Sequence, residues 1–148
     1  MGTTYVLQCS TEQGRSYDIL LAKISNGYAP LLAGYKLNIN RWGASKEPSN
    51  DITTWVEMKW LILEKLSEGA IIFDEYDRRI SHTTFFELIP DRLKHARKNN
   101  WEDPIDYYIK GIDERYHQKS LPLSKYKREL KHYWWDKEGY SFAAREFG

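Results

Sequence analysis

Apolar and polar residues alternate along the first part of the chain, and the period lengthens beyond Asn50. Residues 3–8 place β-branched and aromatic side chains at alternate positions and predict a strand, closed by the turn-like Glu12-Gln13-Gly14-Arg15. Residues 16–23 predict a second strand. Ser25-Asn26-Gly27 marks a turn, because Asn and Gly both tolerate positive φ, and a third strand follows over 30–37. Pro30 cannot donate to a ladder, so it belongs at the opening of that strand or on an edge. A meander is the simplest arrangement.

After a polar loop over 38–50 that carries Arg41-Trp42-Gly43, Pro48-Ser49-Asn50-Asp51 resembles a helix start. Ile52, Trp55, Val56, Ile62, Leu63 and Leu66 then recur at helical spacing up to Gly69 and predict a helix over 51–66. Met58 and Trp60 fall off that stripe, so the helix either buries a second face or presents Trp60 to a partner. Residues 70–73 predict a short strand and 74–78 a turn. Ser81 caps a helix through Leu88, which Pro90 interrupts and which resumes over 91–98. Further helices are predicted over 101–110 and 124–135, joined by Leu121-Pro122-Leu123, with a last extended piece at 139–142. The expected fold is a single α+β domain over 1–148. A small antiparallel sheet of about three to five strands, packed by the long helix, fills 1–90; 91–138 is mainly helical, so that the C-terminal half is helical; 139–148 is extended.

Composition turns this fold toward binding. Aromatic residues make up 15%, with six Trp and eleven Tyr, beside a mean hydropathy of -0.70. So many rings in so polar a chain must lie partly at a surface, a pocket or an interface. The formal charge of +1, from 22 basic and 21 acidic residues, gives no global pull toward nucleic acid or a membrane surface, and no apolar run is long enough to span a bilayer. Two basic clusters, Arg92 to Lys98 and Lys125 to Lys131, read as solvated helix faces with acidic residues between them. The single cysteine, Cys9, excludes an intramolecular disulfide framework and a thiolate-rich zinc site, and fits a reducing compartment. A half-buried strand position explains Cys9 better than nucleophilic chemistry does. The N-terminus has no secretory pattern, and Gly2 meets only the first requirement for myristoylation, without a polybasic neighbour.

Catalytic constellations are incomplete. His82-Thr83-Thr84 has the H-x-T form of two-histidine phosphodiesterases, but His95, His117 and His132 lack the matching hydroxyl residue. Pro90-Asp91 with the distant Glu129-Leu130-Lys131 carries the residue types of a metal-dependent nuclease in a helical context, where strands are required. Asp74-Glu75-Tyr76-Asp77 lacks the spacing of a calcium loop and reads as a turn with an Asp–Arg pair. No phosphate-binding glycine pattern is present. No catalytic residue, metal ligand or cofactor is assigned. Trp42, Trp60, Tyr133, Trp134 and Trp135, with Lys125, Tyr126, Lys127, Arg128 and Lys131, are the candidate ligand- or partner-binding residues, since rings stack and basic groups engage phosphate. An amphipathic helix that turns the same rings onto the sheet and its lysines to water is the preferred account of the C-terminal run, because helical spacing alone produces the same pattern.

Several segments resemble a group of small proteins of tailed bacteriophages with no assigned activity. The resemblance lies in Met1-Gly2-Thr3-Thr4-Tyr5, in Gly14-Arg15, and in Leu21-Ala-Lys23-Ile-Ser25-Asn-Gly27-Tyr28, where the group tends to have I-G-K-S-S-A-G-W. It continues in Ile52-Thr-Thr-Trp55 and in Ile72-Phe-Asp74-Glu75-Tyr76-Asp77-Arg78-Arg79-Ile80-Ser81, similar to I-x-D-E-Y-G-R-x-I-S. Glu138-Gly139-Tyr140-Ser141-Phe142 and Arg145-Glu146-Phe147 resemble its closing segment. A C-x-x-C-G-R knuckle found in many members is replaced here by Ser10 and Gln13, so no metal role carries over. The resemblance implies a phage origin and a small α+β architecture. The leading expectation is a non-enzymatic phage accessory protein in the host cytoplasm that binds and inhibits a host protein, in counter-defence. A sponge for a small nucleotide signal, with Lys23, Arg41, Arg78 or the Lys125–Lys131 cluster on phosphate, is the alternative, and a small nuclease or phosphodiesterase the second alternative. Nucleic acid is a less favoured partner, a membrane is not expected, and self-association stays open.

Overall fold

Three tight turns of one type organise the sheet. The structure, a computed structural model, describes residues 2–36, 48, 50–119 and 131–144, the side chains of 115–119 excepted. Its elements are β1 (Gly2–Ser10), β2 (Ser16–Ser25), β3 (Leu31–Ala33), α1 (Trp55–Ser67), β4 (Ile71–Asp74), β5 (Arg79–Ile80), α2 (His82–Lys98), α3 (Pro104–Lys119), β6 (Tyr133–Trp135) and β7 (Ser141–Ala143). The turns join β1 to β2, β4 to β5 and β6 to β7. In each, the first residue's amide donates to the fifth residue's carbonyl: Thr11 to Arg15 at 2.8 Å, Asp74 to Arg78 at 2.9 Å, Asp136 to Tyr140 at 3.0 Å. The fourth residue takes positive φ: Gly14 at 79°, Asp77 at 61°, Gly139 at 90°. This is a type I turn followed by a left-handed residue, a common three-residue hairpin loop. The first side chain locks it. Asp74 Oδ1 accepts from the amides of Tyr76 and Arg78, both at 2.9 Å, and Asp136 Oδ1 from those of Glu138 and Tyr140 at 3.0 and 2.8 Å.

The strands form one seven-stranded sheet in the order β5-β4-β1-β2-β3-β7-β6. All neighbouring pairs are antiparallel except β3 and β7, which run parallel with Leu31 opposite Ser141, Leu32 opposite Phe142 and Ala33 opposite Ala143. The expectation of a small antiparallel sheet with a helical C-terminal half is therefore corrected: the sheet is large and mixed, and its last two strands come from the C-terminal region. The helix expected over 124–135 is overturned at its end, where Tyr133–Trp135 is strand; 124–130 lie outside the described residues. In so ring-rich a run, aromatic residues satisfy a period of 3.6 and a period of 2 alike, and the pairing with β7 decides between them.

One face of the sheet carries the main core. Leu7, Ile19, Leu21, Leu32, Ile72 and Phe142 are buried there with Trp55, Met58 and Ile62 of α1 and Phe85 and Ile89 of α2. A bulge between Tyr5 and Val6 turns both Leu21 and Ala22 inward. The chain leaves α2 at Trp101 and passes the end of β2, where Glu102 N donates to Gly27 O and Ala29 N to Glu102 O, both at 3.0 Å. It then enters α3, which packs against β7 on the opposite face, with Ile105, Ile112, Leu31 and Ala143 buried. Cys9 is buried on the core side and its Sγ lies 3.7 Å from the Leu7 carbonyl oxygen. Burial pushes its thiol pKa up, against a hydrogen bond with the Tyr17 side chain.

α2 runs unbroken through Pro90, where an interruption was expected. Proline in a helix interior costs about 3 kcal/mol, and Phe85, Ile89, Leu93 and Ala96 offset it by burying one continuous stripe on the core. α1 begins later than expected, because Thr54 and not the 48–51 segment supplies its cap, while Ile52 pairs with Tyr35 in an isolated bridge.

Candidate functional site

α1 is fixed at its N-terminus by four side chains. Thr54 Oγ1 accepts from Glu57 N at 3.1 Å, and Glu57 Oε1 in return accepts from Thr53 N at 3.0 Å and Thr54 Oγ1 at 3.1 Å, a reciprocal capping arrangement. Asp136 Oδ2 accepts from Trp55 N at 2.9 Å, and Trp134 Nε1 donates to Thr53 O at 2.9 Å, so the β6–β7 hairpin grips the helix start. Held this way, α1 buries Trp55, Met58, Leu61 and Ile62. Its outward face carries Val56, Trp60 and Leu63, which are 37%, 67% and 46% exposed. Their spacing of four and three residues places them on one line along the helix. The expected buried stripe is thus rotated: Met58 is core, and Val56 and Leu63 face out with Trp60.

Trp60 borders a groove of about 330 Å³ walled by Pro48, Asn50, Ile52 and Leu61, with Asp51, Glu57, Glu64 and Lys65 supplying its charge. Among the described residues three carboxylates and one ammonium line it, with Glu57 engaged in the cap through Oε1 and Lys65 drawn toward Glu68 at 3.5 Å. An exposed indole beside carboxylates matches an arginine or lysine side chain, whose cation lies over the ring while its N–H groups meet the acids. Val56, Leu63 and the acidic wall were absent from the sequence candidates. Counting four back and three forward from Trp60 would have found both apolar residues.

Among the described candidate residues, Trp134 lies on the sheet face opposite to Tyr133. Strand alternation in β6 separates the rings. Trp134 turns to the core side, stacked on Phe142 at 5.7 Å and 7°, with Lys36 Nζ 4.1 Å from its ring centroid. Tyr133 turns to the opposite side and stacks on Tyr108 at 5.1 Å and 15°. Trp135 is 45% exposed and donates through Nε1 to Asp103 Oδ2 at 3.0 Å, an oxygen that also accepts from Ser141 Oγ at 2.9 Å. Lys131 is exposed in the turn before β6. Trp42, Lys125, Tyr126, Lys127 and Arg128 lie outside the described residues.

The H-x-T segment is part of a helix start, and Glu129 and Leu130 of the other constellation lie outside the described residues. Ser81 Oγ accepts from Thr84 N at 3.1 Å and donates to Thr84 Oγ1 at 2.9 Å, while His82 meets Phe86 edge-on at 5.6 Å, so the H-x-T segment serves a helix cap. Asp91 is exposed on α2. Asp74, 7% exposed, receives Arg78 Nε at 2.7 Å as well as its two amides. Burial pushes its carboxyl up, but the bonds from Arg78 and Tyr76 outweigh this and hold it below the usual carboxylate value. Among the described residues no three His, Cys, Asp or Glu side chains converge as metal ligands, and no helix is long and apolar enough to cross a membrane. Comparison of the chain with known protein families, with curated proteins and with solved structures returned no match.

Proposed function

We propose that this protein is a non-enzymatic accessory protein of a bacteriophage that binds a host protein in the host cytoplasm and inhibits it, in counter-defence. The observation that carries the binding reading is Trp60, the most exposed large ring among the described residues, flanked along one helix face by Val56 and Leu63. Tryptophan is the residue type most enriched at interface hot spots, and a helix with a fixed N-terminus presents it at low ordering cost. The acidic wall of the adjoining groove favours a partner segment that inserts an arginine or lysine next to an apolar contact. The phage setting rests on the resemblance of residues 72–81 and of the first five residues to small phage proteins.

The test compares a tagged wild-type protein with Trp60→Ala, both expressed in infected host cells. One host protein recovered in stoichiometric amount with wild type, and weakened by about 30-fold or more in the purified complex by Trp60→Ala, is the expected result. Recovery of no stoichiometric host protein, or equal binding by the folded variant, overturns the reading.

A further inference from the structure

On the side of the sheet opposite α1, a cleft of about 180 Å³ opens between the end of β2 and the start of α3, lined by Lys23, Tyr28, Leu31, Pro104, Tyr107 and Tyr108. Its aromatic wall is continuous. Tyr28 meets Tyr107 edge-on at 5.8 Å and 81°, Tyr107 meets Tyr108 at 5.9 Å, and Tyr108 stacks on Tyr133. Tyr107 is 52% exposed, although its neighbours on α3 bury Ile105 and Ile112. A ring left on the surface above a cavity is available to a planar ligand.

The cleft has one charged wall. Lys23 is half-buried and, among the described residues, makes no ion pair or hydrogen bond through its ammonium. Arg92 Nη2 donates to the Ser25 carbonyl at 3.3 Å, but its guanidinium lies over Trp101 and does not line the cleft, so Lys23 is the cation of the cleft among the described residues. The nearby acids do not balance this charge inside the cavity. Asp103 is occupied by Trp135, Ser141 and the Ile105 amide, and neither Glu102 nor Asp106 lines the cleft. Size sets the ligand. A cavity of about 150 Å³ holds a benzene ring, whereas drug-sized ligands occupy about 300–1,000 Å³. The space admits one ring and little more.

We propose that this cleft binds a small molecule built from one planar ring and an anionic group, with the ring against Tyr28, Tyr107 and Tyr108 and the anion on Lys23. The site is independent of the Trp60 face. A pyrimidine nucleoside monophosphate and a simple aromatic acid share this chemistry, the former leaving its sugar at the mouth of the cleft.

Titration calorimetry on the full chain tests it with four probes: phenyl phosphate, uridine monophosphate, benzyl alcohol and inorganic phosphate. Phenyl phosphate is expected to bind one to one, at least about tenfold more tightly than benzyl alcohol or inorganic phosphate, which each supply half of the chemistry. Lys23→Met and the surface variant Tyr107→Ala should each weaken it by about tenfold or more, while Trp60→Ala leaves it unchanged. Binding of uridine monophosphate alongside phenyl phosphate marks a nucleotide ligand, and its failure while phenyl phosphate binds marks a non-nucleotide aromatic acid; both uphold the site. No binding of phenyl phosphate at about 10 mM, or wild-type affinity in folded Tyr107→Ala and Lys23→Met, overturns it.

Discussion

The Asp136 carboxylate accepts the backbone amide of Trp55 at 2.9 Å, tying the turn between the last two strands to the first residue of α1. The same side chain holds its own turn through Glu138 and Tyr140. A negative charge at a helix N-terminus also meets the positive end of the helix dipole. Asp136→Ala should destabilise the fold by about 2 kcal/mol, the scale of hydrogen bonds to a charged group, and Asp136→Asn by less. Urea midpoints at unchanged slope are the measurement.

Gly34 lies directly under the Trp134 indole. A Cβ built at Gly34 would sit 2.3 Å from two atoms of that ring, which Phe142 and the Thr53 carbonyl hold in place. Gly34→Ala should therefore cost about 1–3 kcal/mol by overpacking. In a Trp134→Ala background the same substitution should cost far less, and a double-mutant cycle reads the difference as coupling.

Asp77 occupies the left-handed position that Gly14 and Gly139 fill in the two matching turns. Asp77→Gly should stabilise the protein by about 0.5–1 kcal/mol, since relief of the left-handed strain exceeds the added freedom of the unfolded chain. A higher denaturation midpoint confirms it. Gly139→Ala should do the opposite, because a φ of 90° strains any residue with a Cβ.

Burial pushes the Tyr140 phenol up to about 12, with Glu138 and Asp136 adding to the shift. The folded state favours the neutral phenol, so this contribution is complete below the ordinary value of 10.0 and is lost as pH rises from there through about 12. Full loss amounts to about 2–3 kcal/mol. Tyr140→Phe should flatten the fall in stability across that window, measured by urea denaturation at a series of alkaline pH values.

Trp60→Ala should change stability by less than about 0.5 kcal/mol, because the ring is largely in solvent. A loss of partner binding in that variant then reports the contact and not the fold.

The strands with local signals were legible. β1 and β2 alternate because one face is buried, and Asn26-Gly27 announces the turn after them. α1 was legible as a helix but not in phase: Val56 and Leu63 are apolar and so counted as core, although the cap at Thr54 and the grip of Asp136 rotate them outward. β5 has only Arg79 and Ile80, too short to carry a period. β7 owes its place to a partner distant in sequence, and nothing near Ser141 names Leu31. Trp60 stood out because it broke the stripe. The Tyr28–Tyr107–Lys23 cleft did not, because its residues meet only after the chain crosses from one face of the sheet to the other.

The parallel pairing of β3 with β7 also imposes an order on biosynthesis. A nascent chain can form the β1–β2 hairpin and add β3 early in translation, but β3 then waits with an open edge until Ser141–Ala143 have been made. Non-local closure of this kind is slow and leaves the waiting strand open to wrong partners. Because the same late hairpin delivers Asp136 and Trp134 to the start of α1, the Trp60 face acquires its final orientation only when the sheet closes. A stalled or prematurely terminated chain would carry the tryptophan without the scaffold that aims it.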